Sequence, residues 1–311
     1  MMHTIFEVEL PVGETLQIQK NTIQSKDFNK RSKRLSIVSG IHGNELEGQY
    51  ICYEVARRIN ENPDKFHGQI DLYPALNPLG IEMGQRLIPE KNLDLNRSFP
   101  GDSQGHMVDR LASAIIEDLI GSDMVLDIHA SDKFTRELPQ VRISSEFEDK
   151  LIDYAVQLNV DMVWINEAEV AQHATLAHSM NMFNVPTLVI DLGLGNQVNE
   201  EFGNQVVDGI FNLLKNHEMW SGDVESIKFP VISSDGEVTF IRSDIRGIFL
   251  PRAEHNHFIK KGDLIGLIID AYTGRVLEEI IAEESGLIFT LRVSPLVYEG
   301  ALVARILAMR G

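Results

Sequence analysis

The chain has 311 residues, 43% of them hydrophobic and 24% charged, an ordinary composition for a globular protein with room for a sizeable core and two domains. Its formal net charge of −18 makes nucleic acid and anionic membrane poor partners. A single cysteine, Cys52, excludes an intrachain disulfide and a cysteine-based zinc site, so any metal must be held by histidine and carboxylate.

The opening M-M-H-T-I-F-E-V-E-L has no basic stretch followed by an apolar one, and no run approaches the roughly 20 apolar residues of a membrane span, so a cytoplasmic protein is expected. Apolar and polar residues alternate at Ile5–Leu10 and again at Leu16-Gln17-Ile18, which reads as edge strands joined by a turn at Pro11-Val12-Gly13. Lys30 to Arg34 is a short basic, solvated loop. Leu35-Ser36-Ile37-Val38 then reads as a buried strand and Leu46 to Asn60 as a helix. Between them lie His42 and Glu45, on a glycine-softened turn at a strand's carboxyl end, where open α/β sheets place their ligand sites. An imidazole and a carboxylate at i and i+3 are ordinary zinc ligands, although two such residues alone also fit a capped turn and a first-turn carboxylate facing the helix dipole.

Helix and strand alternate onward, which predicts an α/β domain with a mixed, mostly parallel sheet flanked by helices. Gln69–Ala75 is a strand, and Asn77-Pro78-Leu79-Gly80 a turn. The connection 81–105 is long for a compact domain and carries Arg86, Asp94, Asn96 and Arg97. Arginine's planar fork suits a carboxylate, and asparagine adds a donor; otherwise Arg97 pairs with Asp94 or Asp102 and holds the loop. His106–Leu119 has helical spacing.

Met124–Ala130 is an apolar strand that delivers His129 at its end, the same placement as His42. His42, Glu45 and His129 together make a plausible His₂Glu site, with Asp127 on the same strand face as an outer partner of His129. Val141-Arg142-Ile143 is a short strand, Glu148–Leu158 a helix, Met162–Ile165 a strand and Thr175–Asn181 a short helix, with His173 and His178 in surface or substrate-loop positions. Val185–Gly193 is the last strong strand and brings Asp191 to its carboxyl end, placed to act as a base or to accept from the glycine turn after it; Asn199–Asn216 is the closing helix.

From about residue 224 the segments become short, β-rich and turn-punctuated, which divides the chain into a domain 1–223 and a small all-β domain 224–311. The latter resembles a lipoyl/biotinyl-type sandwich barrel in its K-K-G-D turn before an apolar strand. No lysine sits in a carrier context, so shielding of the site or an oligomer contact is expected of it.

H-G-N-E (42–45), N-P-L-G (77–80), D-L-N-R-S-F-P-G (94–101) and D-I-H-A (127–130), in that order, resemble the succinylglutamate desuccinylase/aspartoacylase family of zinc-carboxypeptidase-like hydrolases. F-T-L-R and P-L-V-Y-E-G near the C-terminus extend the resemblance over nearly the whole chain. It implies one zinc per chain on His42, Glu45 and His129, a substrate carboxylate held by Asn96 and Arg97, and a scissile carbonyl polarised by Arg86. One position departs: the family's base is a glutamate in an E-x-G strand end, whereas this chain has Asp191, one methylene shorter, in I-D-L-G. The implied reaction is hydrolysis of the amide of a small N-acyl amino acid by a soluble enzyme, with a homo-oligomer left open. The alternatives are a metallocarboxypeptidase on short peptides, or a catalytically weak metal- or ligand-binding homologue because of Asp191.

Overall fold

A computed structural model describes residues 1–10, 13–89, 92–167 and 173–308; the Pro11-Val12 part of the expected first turn lies outside them. The elements in chain order are β1 (Met2–Glu9), β2 (Thr15–Gln24), β3 (Arg34–Ser39), α1 (Glu47–Glu61), β4 (Gln69–Tyr73), α2 (Pro78–Met83), α3 (Met107–Leu119), β5 (Met124–Ala130), β6 (Thr135–Ser144), α4 (Glu148–Ala155), β7 (Met162–Asn166), α5 (Leu176–Met182), β8 (Thr187–Gly193) and α6 (Glu200–Asn216). A β-only region follows: β9 (Val231–Ser234), β10 (Val238–Arg242), β11 (Gly247–Pro251), β12 (Phe258–Ile259), β13 (Leu264–Asp270), β14 (Arg275–Ile281), β15 (Gly286–Arg292), β16 (Leu296–Val297) and β17 (Leu302–Ala308).

The large mixed sheet runs β1-β2-β4-β3-β5-β8-β6-β15-β17-β10, with β7 and β9 extending from β6 and β12 pairing with β15. Its centre, β4-β3-β5-β8, is parallel. Period-two alternation explains how helices cover both faces. Leu35 and Ile37 on β3, Leu126 and Ile128 on β5, and Leu188, Ile190 and Leu192 on β8 pack with Ile51 and Val55 of α1 and Val206, Ile210 and Leu214 of α6. The opposite face carries Val38 and Val125 against Leu111 and Ile115 of α3 and Leu176 and Met180 of α5. Asp127, His129 and Asp191 belong by alternation to that second face.

Three local expectations need correction. Asn77-Pro78-Leu79-Gly80 opens α2 rather than a bare turn: the Asn77 side chain accepts from the Gly80 amide and Pro78 sits in the first turn, a helix start. The short strand at 141–143 extends over ten residues, Thr135–Ser144, because its length pairs successively with β15, β8 and β7. Of the two strands expected at an edge, β1 is one, whereas β2 lies between β1 and β4.

β15 hydrogen-bonds antiparallel to β6 and so continues the large sheet, while β14-β13-β11-β16 forms a second antiparallel sheet. Phe249, Ile265, Ile268 and Ile280 from one layer meet Ile241, Ile288, Val303 and Ile306 from the other in a separate apolar core, a small sandwich. No helix among the described residues is long and apolar enough to cross a membrane.

Candidate metal centre and cavity

The chain leaves β3 through Gly40 at φ +67°, a backbone conformation that favours glycine, and turns sharply toward α1. Gly43 lets this turn lie directly on α2: a Cβ there would stand 2.0 Å from the Gly80 carbonyl carbon. Glu45 N–H donates to the His42 carbonyl at 3.2 Å, which folds the two side chains toward one point. His129 arrives from the end of β5, the strand paired in parallel with β3.

His129, distant in the chain, therefore converges with His42 and Glu45. His42 Nδ1 lies 2.8 Å from Glu45 Oε1, and His129 Nδ1 lies 2.8 Å from Glu45 Oε2. All three side chains are buried, and their donor atoms lie within 4.8 Å of one another. Although His42 Nδ1 is so close to the carboxylate, it makes no aligned hydrogen bond among the described residues. His129 Nδ1 hydrogen-bonds Glu45 Oε2, so the unpaired inward-facing nitrogen is His42 Nδ1; a buried carboxylate between two imidazole nitrogens, one of them unpaired, suits a shared cation.

The outer nitrogen of His42 is held as that of a metal-bound imidazole usually is: Nε2 meets Asp94 Oδ1 at 3.0 Å. His129 Nε2 lies 3.2 Å from Asp127 Oδ1 without an aligned hydrogen bond among the described residues. The electrostatics favour positive charge at this point. Burial pushes the Glu45 carboxyl up, but His129 and His42 outweigh it and bring it down to about 2. Burial likewise pushes His129 down, and Asp127 and Glu45 overcome this to hold it well above the ordinary imidazole range. Nitrogen and oxygen donors with an open side are a set that accepts zinc.

The group opens onto a cavity of about 340 Å³ lined also by Arg86, Asn96, Arg97, Arg142, His178, Asp191 and Arg305. Arg86 Nη1 donates to Glu45 Oε1 at 3.2 Å and Nη2 to Asp94 Oδ2 at 3.3 Å, so this guanidinium sits at the edge of the metal group. Asp94 also accepts from the Asn96 amide at 2.9 Å, shaping the turn Leu95–Arg97. Asp94 pairs with Arg86 and His42, not with Arg97, so the alternative of an Asp94–Arg97 pair holding the loop is not what the structure shows. Asn96 Oδ1 accepts from the Leu176 amide at 2.9 Å. Arg97 Nη1 donates to the Asn96 carbonyl at 2.8 Å and has no carboxylate partner among the described residues.

Asp191 lines the cavity from β8 but is not free there: its Oδ2 lies 2.9 Å from Arg142 Nε. Arg142 Nη2 donates to Glu137 Oε2 at 2.7 Å, and Glu137 Oε1 accepts from Arg305 of β17. Burial raises the Asp191 carboxyl, and Arg142 only partly offsets this. The chain Asp191–Arg142–Glu137–Arg305 was not foreseen from the sequence. Its members share no motif, and Arg305 is far along the chain in the β-only region. The density of charge in T-R-E-L-P-Q-V-R, high for a strand that is mostly buried, is the one signal that points to it.

Residues 31–217 match the model of the succinylglutamate desuccinylase/aspartoacylase catalytic domain. An N-alpha-acetyl-L-2,4-diaminobutyric acid deacetylase of Halomonas elongata is 23% identical over 279 residues, covering 86% of this chain and 80% of that protein. Among solved structures, a succinylglutamate desuccinylase from Silicibacter sp. superposes with a TM-score of 0.85 at 19% identity, over 99% of this chain and 95% of the other. The product-bound ectoine utilization protein EutE (DoeB) of Ruegeria pomeroyi does so with a TM-score of 0.83 at 18% identity, over 99% and 95%. At such identities the superpositions speak to fold alone; the domain match, spanning more than half the sequence, places this chain in the succinylglutamate desuccinylase/aspartoacylase family.

Proposed function

We propose that the protein is a zinc-dependent hydrolase that cleaves the amide bond of an N-acyl amino acid or a similar small carboxylate-bearing amide. The observation that carries this is the convergence of His42, Glu45 and His129 at one buried point on the cavity wall. The catalytic-domain match and the deacetylase from Halomonas elongata support the reaction class. Zinc bound by these three residues would supply Lewis acidity and a water with a pKa near ~7.

The chain's own groups have the following parts. Arg97, whose fork is uncommitted to any carboxylate among the described residues, binds the substrate carboxylate, and Asn96 fixes the backbone turn that presents it. Arg86 lies beside Glu45 and stabilises charge developing on the scissile carbonyl oxygen. Asp191, its carboxyl raised by burial, accepts the proton of the attacking water and returns it to the leaving amine.

A second reading has one observation in its favour. Asp191 is 2.9 Å from Arg142, and a carboxylate held by a buried guanidinium is a poorer base than a free one. Under it the chain binds metal and ligand but turns over slowly. A panel of N-acetyl and N-succinyl amino acids beside dipeptides separates these readings and a peptidase. His129→Ala should lose the tightly held zinc together with turnover, and retention of that zinc would rule out the assignment.

A further inference from the structure

A second group of metal-ligating side chains lies at the edge of the cavity, which its member His178 lines, and takes no part in the chemistry above. Glu146, His173 and His178 each offer one donor atom, and these lie within 4.8 Å of one another. Glu146 belongs to the single turn Ser145–Phe147 that ends β6, and its carboxylate is 3.2 Å from His178 Nε2. The donors of a tetrahedral zinc site with bonds of about 2.1 Å stand about 3.4 Å apart, so this contact already has the length of one tetrahedron edge.

His173 completes the group from the segment before α5. Its ring stacks on that of His178 with centroids 4.6 Å apart and planes at 24°, while Phe147 closes the far side of His178 edge-on at 5.7 Å. Two near-parallel imidazoles beside one carboxylate form a compact donor set with an open, solvent-facing side, because Glu146 and His173 are exposed and His178 half-buried.

We propose that Glu146, His173 and His178 form a second site for a divalent metal ion at the cavity rim. The imidazole-rich set selects a late first-row ion such as Zn²⁺ over Mg²⁺ or Ca²⁺, which prefer oxygen ligands. It binds more weakly than the buried group, because two of its three ligands are solvated side chains that lose rotamer freedom on binding. Its occupancy joins the end of β6 to the segment leading into α5. That segment also holds the Asn96 turn: Leu176 N–H donates to Asn96 Oδ1 at 2.9 Å and Phe99 N–H to the Ala174 carbonyl at 3.1 Å. The bound ion therefore braces the wall that carries Asn96 and Arg97.

The test is calorimetric titration of chelator-treated, full-length protein with Zn²⁺ and then Mg²⁺, with metal analysis after desalting. The wild type should take up a second, weaker equivalent of Zn²⁺ and none of Mg²⁺. His173→Ala and Glu146→Gln, both at exposed positions that leave the fold intact, should each lose only the weaker equivalent, whereas His42→Ala should lose only the tighter one. A wild type with no Zn²⁺ equivalent that the rim substitutions remove, or a weaker equivalent that survives both of them, overturns the proposal. If instead the tight equivalent is missing everywhere while the rim equivalent behaves as stated, the proposed zinc hydrolase fails and the rim site stands.

Discussion

His129 and Asp191 occupy directly paired positions on the adjacent parallel strands β5 and β8. The register places the imidazole that closes one strand beside the carboxylate that closes the next, on the sheet face not occupied by α1 and α6. No motif spacing specifies this neighbourhood; it follows from period-two alternation in two buried strands.

If Asp191 is the base, Asp191→Asn should lower kcat by about 10²–10⁴-fold while the tight zinc equivalent is retained. Steady-state kinetics with metal analysis on the same preparation checks this. Arg142→Met should instead destabilise the fold, by about 3–5 kcal/mol in urea unfolding, because it strips Asp191 of its partner and leaves a buried charge uncompensated.

Arg97→Ala should raise KM for carboxylate-bearing substrates about ten- to a hundredfold and leave metal content unchanged, the loss of a charge-assisted contact worth about 1.5–3 kcal/mol. An amide substrate whose carboxylate is esterified should not distinguish the variant from the parent. Equal losses on both substrates would remove Arg97 from carboxylate recognition.

Glu47 supplies a pH test away from the chemistry. It is fully buried at the start of α1, where both carboxylate oxygens accept from the Asn199 amide at 3.0–3.1 Å, and burial pushes it up from 4.5 to about 7. Between those values the folded chain binds more protons than the unfolded one, so stability falls as pH rises through this window and levels off above it. The displacement caps the effect at about 3 kcal/mol. Comparing Glu47→Gln with the parent from pH 4 to 8 by denaturant unfolding of metal-free protein isolates the contribution. The difference between the two curves should grow with pH, and a flat difference would exclude it.

Chelation should lower the melting temperature, and zinc should restore it, because an ion that binds only the folded chain stabilises it by mass action. At free zinc a hundredfold above Kd the gain is about 2.7 kcal/mol. His42→Ala should lose most of this response in differential scanning calorimetry. A parent whose melting is insensitive to chelator would argue that no ion is held by His42, Glu45 and His129.

What the sequence alone determined was local and periodic. Leu35-Ser36-Ile37-Val38, Met124–Ala130 and the run ending in Asp191 announce buried strands, since short, largely apolar runs suit strands covered on both faces. His42 and Glu45 were readable as a pair because they stand at i and i+3 on one turn. His129 and Asp191 were readable by their place at strand ends. Only the tertiary structure decided which charges meet. Arg86 turns to Glu45 and Asp94 rather than to open solvent, and Asp191 is tied through Arg142 and Glu137 to Arg305 on β17. Side-chain pairing of this kind depends on register across strands distant in the chain, and charge patterns along a sequence do not encode which strand lies beside which. Hydrophobic periodicity survives that ignorance because it needs only an inside and an outside, whereas an ion pair needs a particular neighbour.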